Sequence, residues 1–372
     1  MTLLVSQRKE AEPQLLWNVY YHLFLDEETV RVLEAHLARL LAASTSVKDW
    51  KESDFGENFR FCNASTLSYV RHVWHAYAEC LEKKDQDQYR ADFDAAVRHS
   101  HTYKDTFLGG DATVAGSLHA AAPLGLQVSK EMKIALKSWW EKGTTGLVPA
   151  NTNVPNPLFS ATLSRYSVLP PGADPILSYH LATASVHLTG QSDSQADNGH
   201  DNPSSLAFVA AAQGQFAEWS RAFVEMASRD MTLRFVAADG LSFCHTLQHH
   251  IETCQLSGQF YRRQLSMERL ELDPDEYGLH SKTPKQFDVI DTSDTSESLG
   301  ALNVLISGSP LLKAAPWATL FIEINGKRTE GEKAMFKELL CGSTRISQVF
   351  LGSAPWSTGP MPQQSRTSTN TC

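Results

Sequence analysis

FDVIDTSDTSESLGALNVLISGSPLL, Phe287 to Leu312, sets a short apolar run directly before three carboxylates and a cluster of small hydroxyls. Phe287–Asp291 is bounded by turn formers and rich in β-branched and aromatic residues, which predicts a strand. The Ser/Asp/Thr turn behind it leads into ESLGALNVLI, whose spacing is helical. A strand that ends in carboxylates at the start of a helix poses two readings: the ligand-binding end of a nucleotide-type sheet, or a capped turn between buried elements.

The same order recurs on either side. TLRFVAADG, Thr232 to Gly240, is a strand candidate that ends in Asp-Gly and feeds the helical LSFCHTLQHH. ATLFIEI, Ala318 to Ile324, precedes Thr329-Glu330-Gly331-Glu332, which has capping-box spacing, and a helix that stops at Gly342. Three strand–helix repeats predict an α/β structure with a parallel sheet, because parallel strands need long crossovers that lie over the sheet faces.

Upstream, the pattern is helical. Val30, Leu33, Leu37 and Leu40 form one stripe, and Leu67, Val70, Trp74, Tyr77 and Leu81 form another. Asp26 and either Asn63 or Ser65 are placed to cap these helices. Further helices are predicted around Tyr89, Phe93 and Val97, from Ser129 to Lys142 with Gly143 as stop, and through Phe208, Phe216, Trp219 and Phe223. The expected organisation is a mostly helical region at 1–143, an irregular proline-rich connection at 144–205 that includes a polar loop from Gly190 to Ser205, an α/β region at 206–351 and a disordered tail at 352–372.

Lys plus Arg number 33 against 42 Asp plus Glu, a net charge of −9. That balance does not support a broad nucleic-acid footprint. No apolar span of about 18 residues occurs, and the N-terminal apolar run is short and quickly followed by charge, so a cytoplasmic protein without a membrane segment is expected. Six cysteines without a C-x-x-C pair argue against a zinc finger and a dense disulfide framework. The sequon Asn63-Ala64-Ser65 reads as the polar start of a helix.

Asp239 and Asp291 fall at predicted strand ends, where a carboxylate can accept from a ribose hydroxyl or an adenine amine, with Thr292 and Ser293 beside it. Equally, these residues can cap the next helix. His245 and His249 stand four apart on one predicted helix, a spacing that can hold a metal, but no third ligand is in register and they read as helix-end histidines. His99 and His101 are read the same way. Tyr261-Arg262-Arg263 reads as a solvated loop face. There is no G-x-S-x-G, phosphate loop or G-x-G-x-x-G.

WNVYYHLFLDEETV, GENFRFCNASTLSYVRHVW, NPLFSATL, DPILSYHLA, LRFVAADGLSFCHTLQ, SMERLELD and the opening stretch resemble, in order from about Leu15 to Leu351, a group of uncharacterised fungal proteins. These carry a domain of unknown function related to the N-terminal part of dynein axonemal assembly factor 3, often with a MYND-type zinc finger, which has no counterpart here. That domain is similar to the class I S-adenosylmethionine methyltransferase fold, so the resemblance implies a partial, Rossmann-like parallel sheet. It implies that Asp239, with Gly240, ends the strand near the cofactor adenine, that Asp288 to Ser293 end the fourth strand facing the methyl group and substrate, and that ATLFIEI is the fifth strand. An inserted segment containing SMERLELD is expected between Asp239 and Phe287.

The family's first strand and glycine-rich turn have no counterpart in this sequence. This sets the expectation of a non-catalytic scaffold for protein partners that binds no cofactor and is marginally stable alone. The alternative is an S-adenosylmethionine-dependent methyltransferase using Asp239, Gly240, Asp288, Asp291, Thr292 and Ser293. A third reading is a metal-binding adaptor using His245 and His249.

Overall fold

The structure, a computed structural model, describes residues 13–82, 91, 95, 139, 142–145, 154–159, 203–227, 229, 231–263, 266–292 and 295–322. Of these, 203–208, 211, 259–263, 266–268 and 297 are described through their backbone. The chain divides into two compact units, residues 1–235 and 236–372. It is a mixed α/β structure containing both parallel and antiparallel strand pairs.

In the first unit the chain runs α1 (Pro13–Tyr21), β1 (Phe24–Leu25), α2 (Glu27–Ala43), α3 (Val47–Glu52), β2 (Phe59–Phe61), α4 (Ala64–Glu82), β3 (Val154–Pro155), α5 (Pro203–Ala227) and β4 (Leu233–Phe235). The two predicted stripes face each other: Leu33, Leu37 and Leu40 of α2 and Leu67 and Trp74 of α4 are buried in one core. Asp26 caps α2 by accepting from the Thr29 N–H at 2.8 Å. Of the two candidates for α4, Asn63 is the cap, its Oδ1 accepting from the Thr66 N–H at 2.8 Å, while Ser65 donates to the same oxygen. The sequon asparagine is therefore a buried cap, with its Nδ2 inside the protein. Pro203 to Ser205, read as the end of a polar loop, open α5. Of the helix expected around Tyr89, Phe93 and Val97, residues 91 and 95 are described and helical, while those three residues and the tail at 352–372 lie outside the described residues.

β2 is an element that the stripes did not announce. Phe59-Arg60-Phe61 becomes a strand by pairing in parallel with β4, Phe59 opposite Leu233 and Phe61 opposite Phe235. The ladder continues through Leu233 N–H to Asn58 O at 2.7 Å and Cys62 N–H to Phe235 O at 2.9 Å. Beneath β2 lies Trp50, fully buried and donating from Nε1 to the Phe59 carbonyl at 2.8 Å. Its ring stacks on Phe55 and Trp74, with centroids 5.3 and 5.6 Å away, and meets Phe61 edge-on at 5.0 Å. Such pairs add to what area burial contributes.

The end of α1 is closed from afar. A helix leaves its last carbonyls without intrahelical donors. Here Asn156 Nδ2 donates to Val19 O and His22 O, and Trp139 Nε1 donates to Tyr21 O. His22 is 3% exposed. Its Nε2 accepts from the Thr145 N–H and lies 2.9 Å from Thr145 Oγ1, which accepts from Trp17 Nε1 at 2.7 Å. Gly143 has φ +74°, the left-handed conformation that the predicted helix stop requires.

The second unit contains α6 (Gly240–Thr253), β5 (Ser257–Arg263), β6 (Ser266–Glu271), α7 (Pro274–Tyr277), β7 (Val289–Asp291), α8 (Thr295–Leu299), α9 (Ala301–Gly308), a 3-10 turn at Ser309–Leu311 and β8 (Thr319–Phe321). β7 and β8 pair in parallel, Val289 opposite Thr319 and Asp291 opposite Phe321, with α8 and α9 as the crossover. Phe287 forms a separate parallel bridge with Leu312. The strand predicted over Phe287–Asp291 is thus shorter, and the single helix predicted behind it breaks at Gly300, φ +82°. The position where Gly308 would carry a side chain lies 3.4 Å from Leu320, so α9 sits close on β8. The separation between Asp239 and the β7 strand is filled by α6 and an antiparallel hairpin, β5–β6. Tyr261-Arg262-Arg263, read as a loop face, is part of β5: the strand is stabilised by its partner, a contact that local composition does not encode. The capping box at Thr329 and the helix to Gly342 lie outside the described residues.

Replacing Trp50 by Ala is expected to cost the first unit about 3–5 kcal/mol through cavity formation, read by urea unfolding. Trp50→Phe keeps most of the ring but strands the Phe59 carbonyl, at a cost of about 1–3 kcal/mol. His22 gives a pH signature. Burial, partly opposed by the Asp26 charge, pulls its imidazole down to about 4. The unfolded chain then takes up a proton that the folded one refuses between about pH 6.5 and 4. Stability should be full above that window and fall by about 3 kcal/mol as pH drops through it, a slope that His22→Gln should flatten.

Candidate functional site

The residues singled out from the sequence lie at the start of α6 and along β7. Asp239 precedes α6 with extended backbone, and its Oδ1 accepts from the Ser242 N–H at 3.0 Å and from the Ser242 hydroxyl at 3.1 Å. The carboxylate is an N-cap, favoured further by the positive end of the helix dipole. Gly240 is the first helical residue, and among the described residues nothing lies within 4 Å of the place its Cβ would take, so no close approach among them demands glycine there.

On β7 the carboxylates diverge. Successive strand residues point to opposite faces. Asp291 therefore shares a face with Val289, and Asp288 lies on the other. Asp288 accepts from Lys313 Nζ at 2.6 Å and Trp317 Nε1 at 3.3 Å. The hydrogen bond from Lys313, seconded by that from Trp317, holds the Asp288 carboxyl below its usual range. Thr292 donates from both its N–H and its hydroxyl to Phe321 O, and its own carbonyl accepts from Thr295. It stitches β7 to β8 and starts α8. Asp291 stands at the carboxyl end of β7, exposed to solvent. Ser293 lies outside the described residues. The arrangement thus gives Asp239, Asp288 and Thr292 defined partners within the fold.

On α6, His249 Nε2 meets Gln255 Oε1 at 3.1 Å, and His250, rather than His245, is the buried histidine, its Nδ1 donating to Gln255 O at 3.0 Å. Among the described residues no group of three or more His, Cys, Asp or Glu side chains is placed to hold a metal ion. Burial, with the Asp239 charge adding to it, pushes the Cys244 thiol up, which keeps it protonated. His99 and His101 lie outside the described residues. Lys313 and Trp317, the partners of Asp288, escaped the sequence reading, since nothing in local spacing links them to a strand so far upstream. Among the described residues no helix is long and apolar enough to cross a membrane.

If Asp239 serves α6 as a cap, Asp239→Ala should lower the stability of the second unit by about 1 kcal/mol. Asp239→Asn, an equal capper, should leave it within about 0.5 kcal/mol of wild type. Chemical denaturation of both variants checks this, and equal losses would argue for a role of the charge itself.

Comparison of the chain with protein-family models, with curated proteins and with solved structures finds no match.

Proposed function

We propose that the chain is a non-catalytic, Rossmann-like scaffold that presents surfaces to protein partners, in line with the resemblance to the methyltransferase-like domain of uncharacterised fungal proteins. The reading assigns β7 and β8 the places of the fourth and fifth strands of that sheet, which is supported by their parallel pairing through a helical crossover. The observation that carries the scaffold reading is the engagement of the strand-end polar groups by the fold itself: Asp239 by Ser242, Asp288 by Lys313 and Trp317, Thr292 by Phe321. A carboxylate that already accepts from a helix amide has less capacity left for a ribose or adenine amine. Exposed Val289 and Phe321, which the register sets on one face of the β7–β8 pair, support an interaction role, since neighbouring apolar side chains on a surface mark binding sites.

The second reading, an S-adenosylmethionine-dependent methyltransferase, is favoured by one feature: the open space at Gly240 beside the α6 N-terminus, in the same unit as the exposed Asp291. A helix N-terminus with open space can receive a polar ligand.

Calorimetric titration of S-adenosylmethionine into folded protein separates the two. The scaffold reading expects no saturable heat for wild type. Saturable binding that weakens at least about tenfold in Asp239→Asn, a change that spares the cap, would establish the cofactor reading in its place.

A further inference from the structure

His22 sits where the end of α1 meets the residues around Thr145, and the groups on its ring are fixed in what they can donate. An indole N–H only donates, so Trp17 Nε1 makes Thr145 Oγ1 an acceptor at 2.7 Å. A backbone N–H likewise only donates, so the Thr145 amide makes His22 Nε2 an acceptor at 3.2 Å. Nε2 therefore carries a lone pair, and the ring proton belongs on Nδ1. The Thr145 hydroxyl, 2.9 Å from the same nitrogen, can turn its own proton toward it. The arrangement is complete for a neutral imidazole and has no place for a proton on Nε2.

What the ring holds is a set of long-range contacts. The Leu23 N–H donates to Gly143 O and the Gly143 N–H to Trp139 O, both at 2.7 Å, while Trp139 Nε1 donates to Tyr21 O at 3.0 Å. Gly143 is seated so closely on the Phe24 ring that no Cβ would fit. Trp139, Thr144 and Thr145 are all buried by this docking. The hydrophobic core that contains Trp50 does not include Trp139.

Few charges bear on the ring. α1 carries no acidic or basic side chain, only Tyr20 and Tyr21, and β3 with Asn156 brings none. Lys142, Glu27 and Glu28 are exposed, as are Glu218 and Arg221 on α5, which packs on α1 through Phe216. Asp26 favours the charged imidazole, but burial outweighs it. A buried histidine that gates a packed contact is the usual form of a proton-sensitive switch.

We propose that His22 is the pin of an acid-operated latch: a proton on Nε2 removes the acceptor of the Thr145 amide and releases Trp139 and residues 143–145 from the end of α1, while the core around Trp50 stays folded. Acid thus opens the first unit at this place before it unfolds the whole, and uncovers the Trp139 indole and the Tyr21 carbonyl. The device is independent of the groups on α6 and β7, and it stands whether the chain is a scaffold or a methyltransferase.

The test is amide hydrogen exchange of the full chain between about pH 7 and pH 4, expressed as protection relative to the unfolded chain so that the intrinsic pH dependence of exchange cancels. The Thr145 and Leu23 amides should lose protection about tenfold per pH unit below about 6.5, where an open imidazole takes up its proton. At each pH they should lie on the order of 100-fold below the Trp50 and Phe59 amides, which report the core. In His22→Gln the amide oxygen can accept from Thr145 at any pH, so the pH dependence at Thr145 and Leu23 should vanish. Equal protection at all four amides in wild type, meaning that the latch opens only with the whole unit, overturns the proposal. So does protection at Thr145 that is independent of pH in wild type, or a pH dependence that persists in folded His22→Gln. The wild-type comparison decides by itself if the variant does not fold.

Discussion

The hydrogen bond from the Trp50 indole to the Phe59 carbonyl ties together the two levels on which the first unit is built. On one side of that bond is a strand of three residues, too short to persist by itself. On the other are the stripes of two helices. A buried carbonyl without a donor would be costly, and an indole N–H buried without an acceptor equally so. Trp50 satisfies both while its ring fills the space between Phe55, Phe61 and Trp74. Once β2 is held in this way, its free edge accepts β4, and the chain closes a contact between residues far apart in sequence. The distant donors at the end of α1, Trp139 and Asn156, repeat the principle: a buried backbone group left without an intrahelical partner is satisfied by a side chain that also packs.

In the second unit the same economy shapes the functional question. Carboxylates and hydroxyls gather at helix starts and strand ends because those places have unpaired backbone groups, and cofactors bind there for the same reason. Composition therefore cannot separate a cap from a ligand site. Geometry shows which partners the fold itself supplies, and a cap gives part of its accepting capacity to its own helix. Asp239 reaches the Ser242 amide, Thr292 reaches the end of β8, and Asp288 points away from Asp291. The polar residues at the end of β7 hold two strands and a helix in place.

Much of the architecture was legible because it rests on periodicity. The stripes of α2 and α4, the caps Asp26 and Asn63, and the strands around Leu233, Val289 and Thr319 follow from patterns within a few residues of each other. What escaped depends on pairing with another strand rather than on a pattern within the segment itself. β2 exists because β4 pairs with it, and Tyr261 to Arg263 become a strand because β6 returns beside them. Gly300 broke a helix that an apolar run suggested was continuous, because a positive φ is written in no hydrophobic pattern. For the site, the positions of Asp239 and Asp288 were readable, and Ser242, the partner of Asp239, is local, whereas Lys313 and Trp317, the partners of Asp288, arrive only through the fold.

The account stands on the claim that the Trp50 hydrogen bond and ring contacts fix β2 and thereby its pairing with β4. Amide hydrogen exchange of wild type and Trp50→Phe measures this residue by residue. The account predicts that the cross-strand amides of Cys62 and Leu233 lose protection in the variant well beyond the amides of the capped helix α2. Full retention of protection at Cys62 and Leu233 in a folded variant would contradict it, and would show that the strand pair holds itself together without the indole.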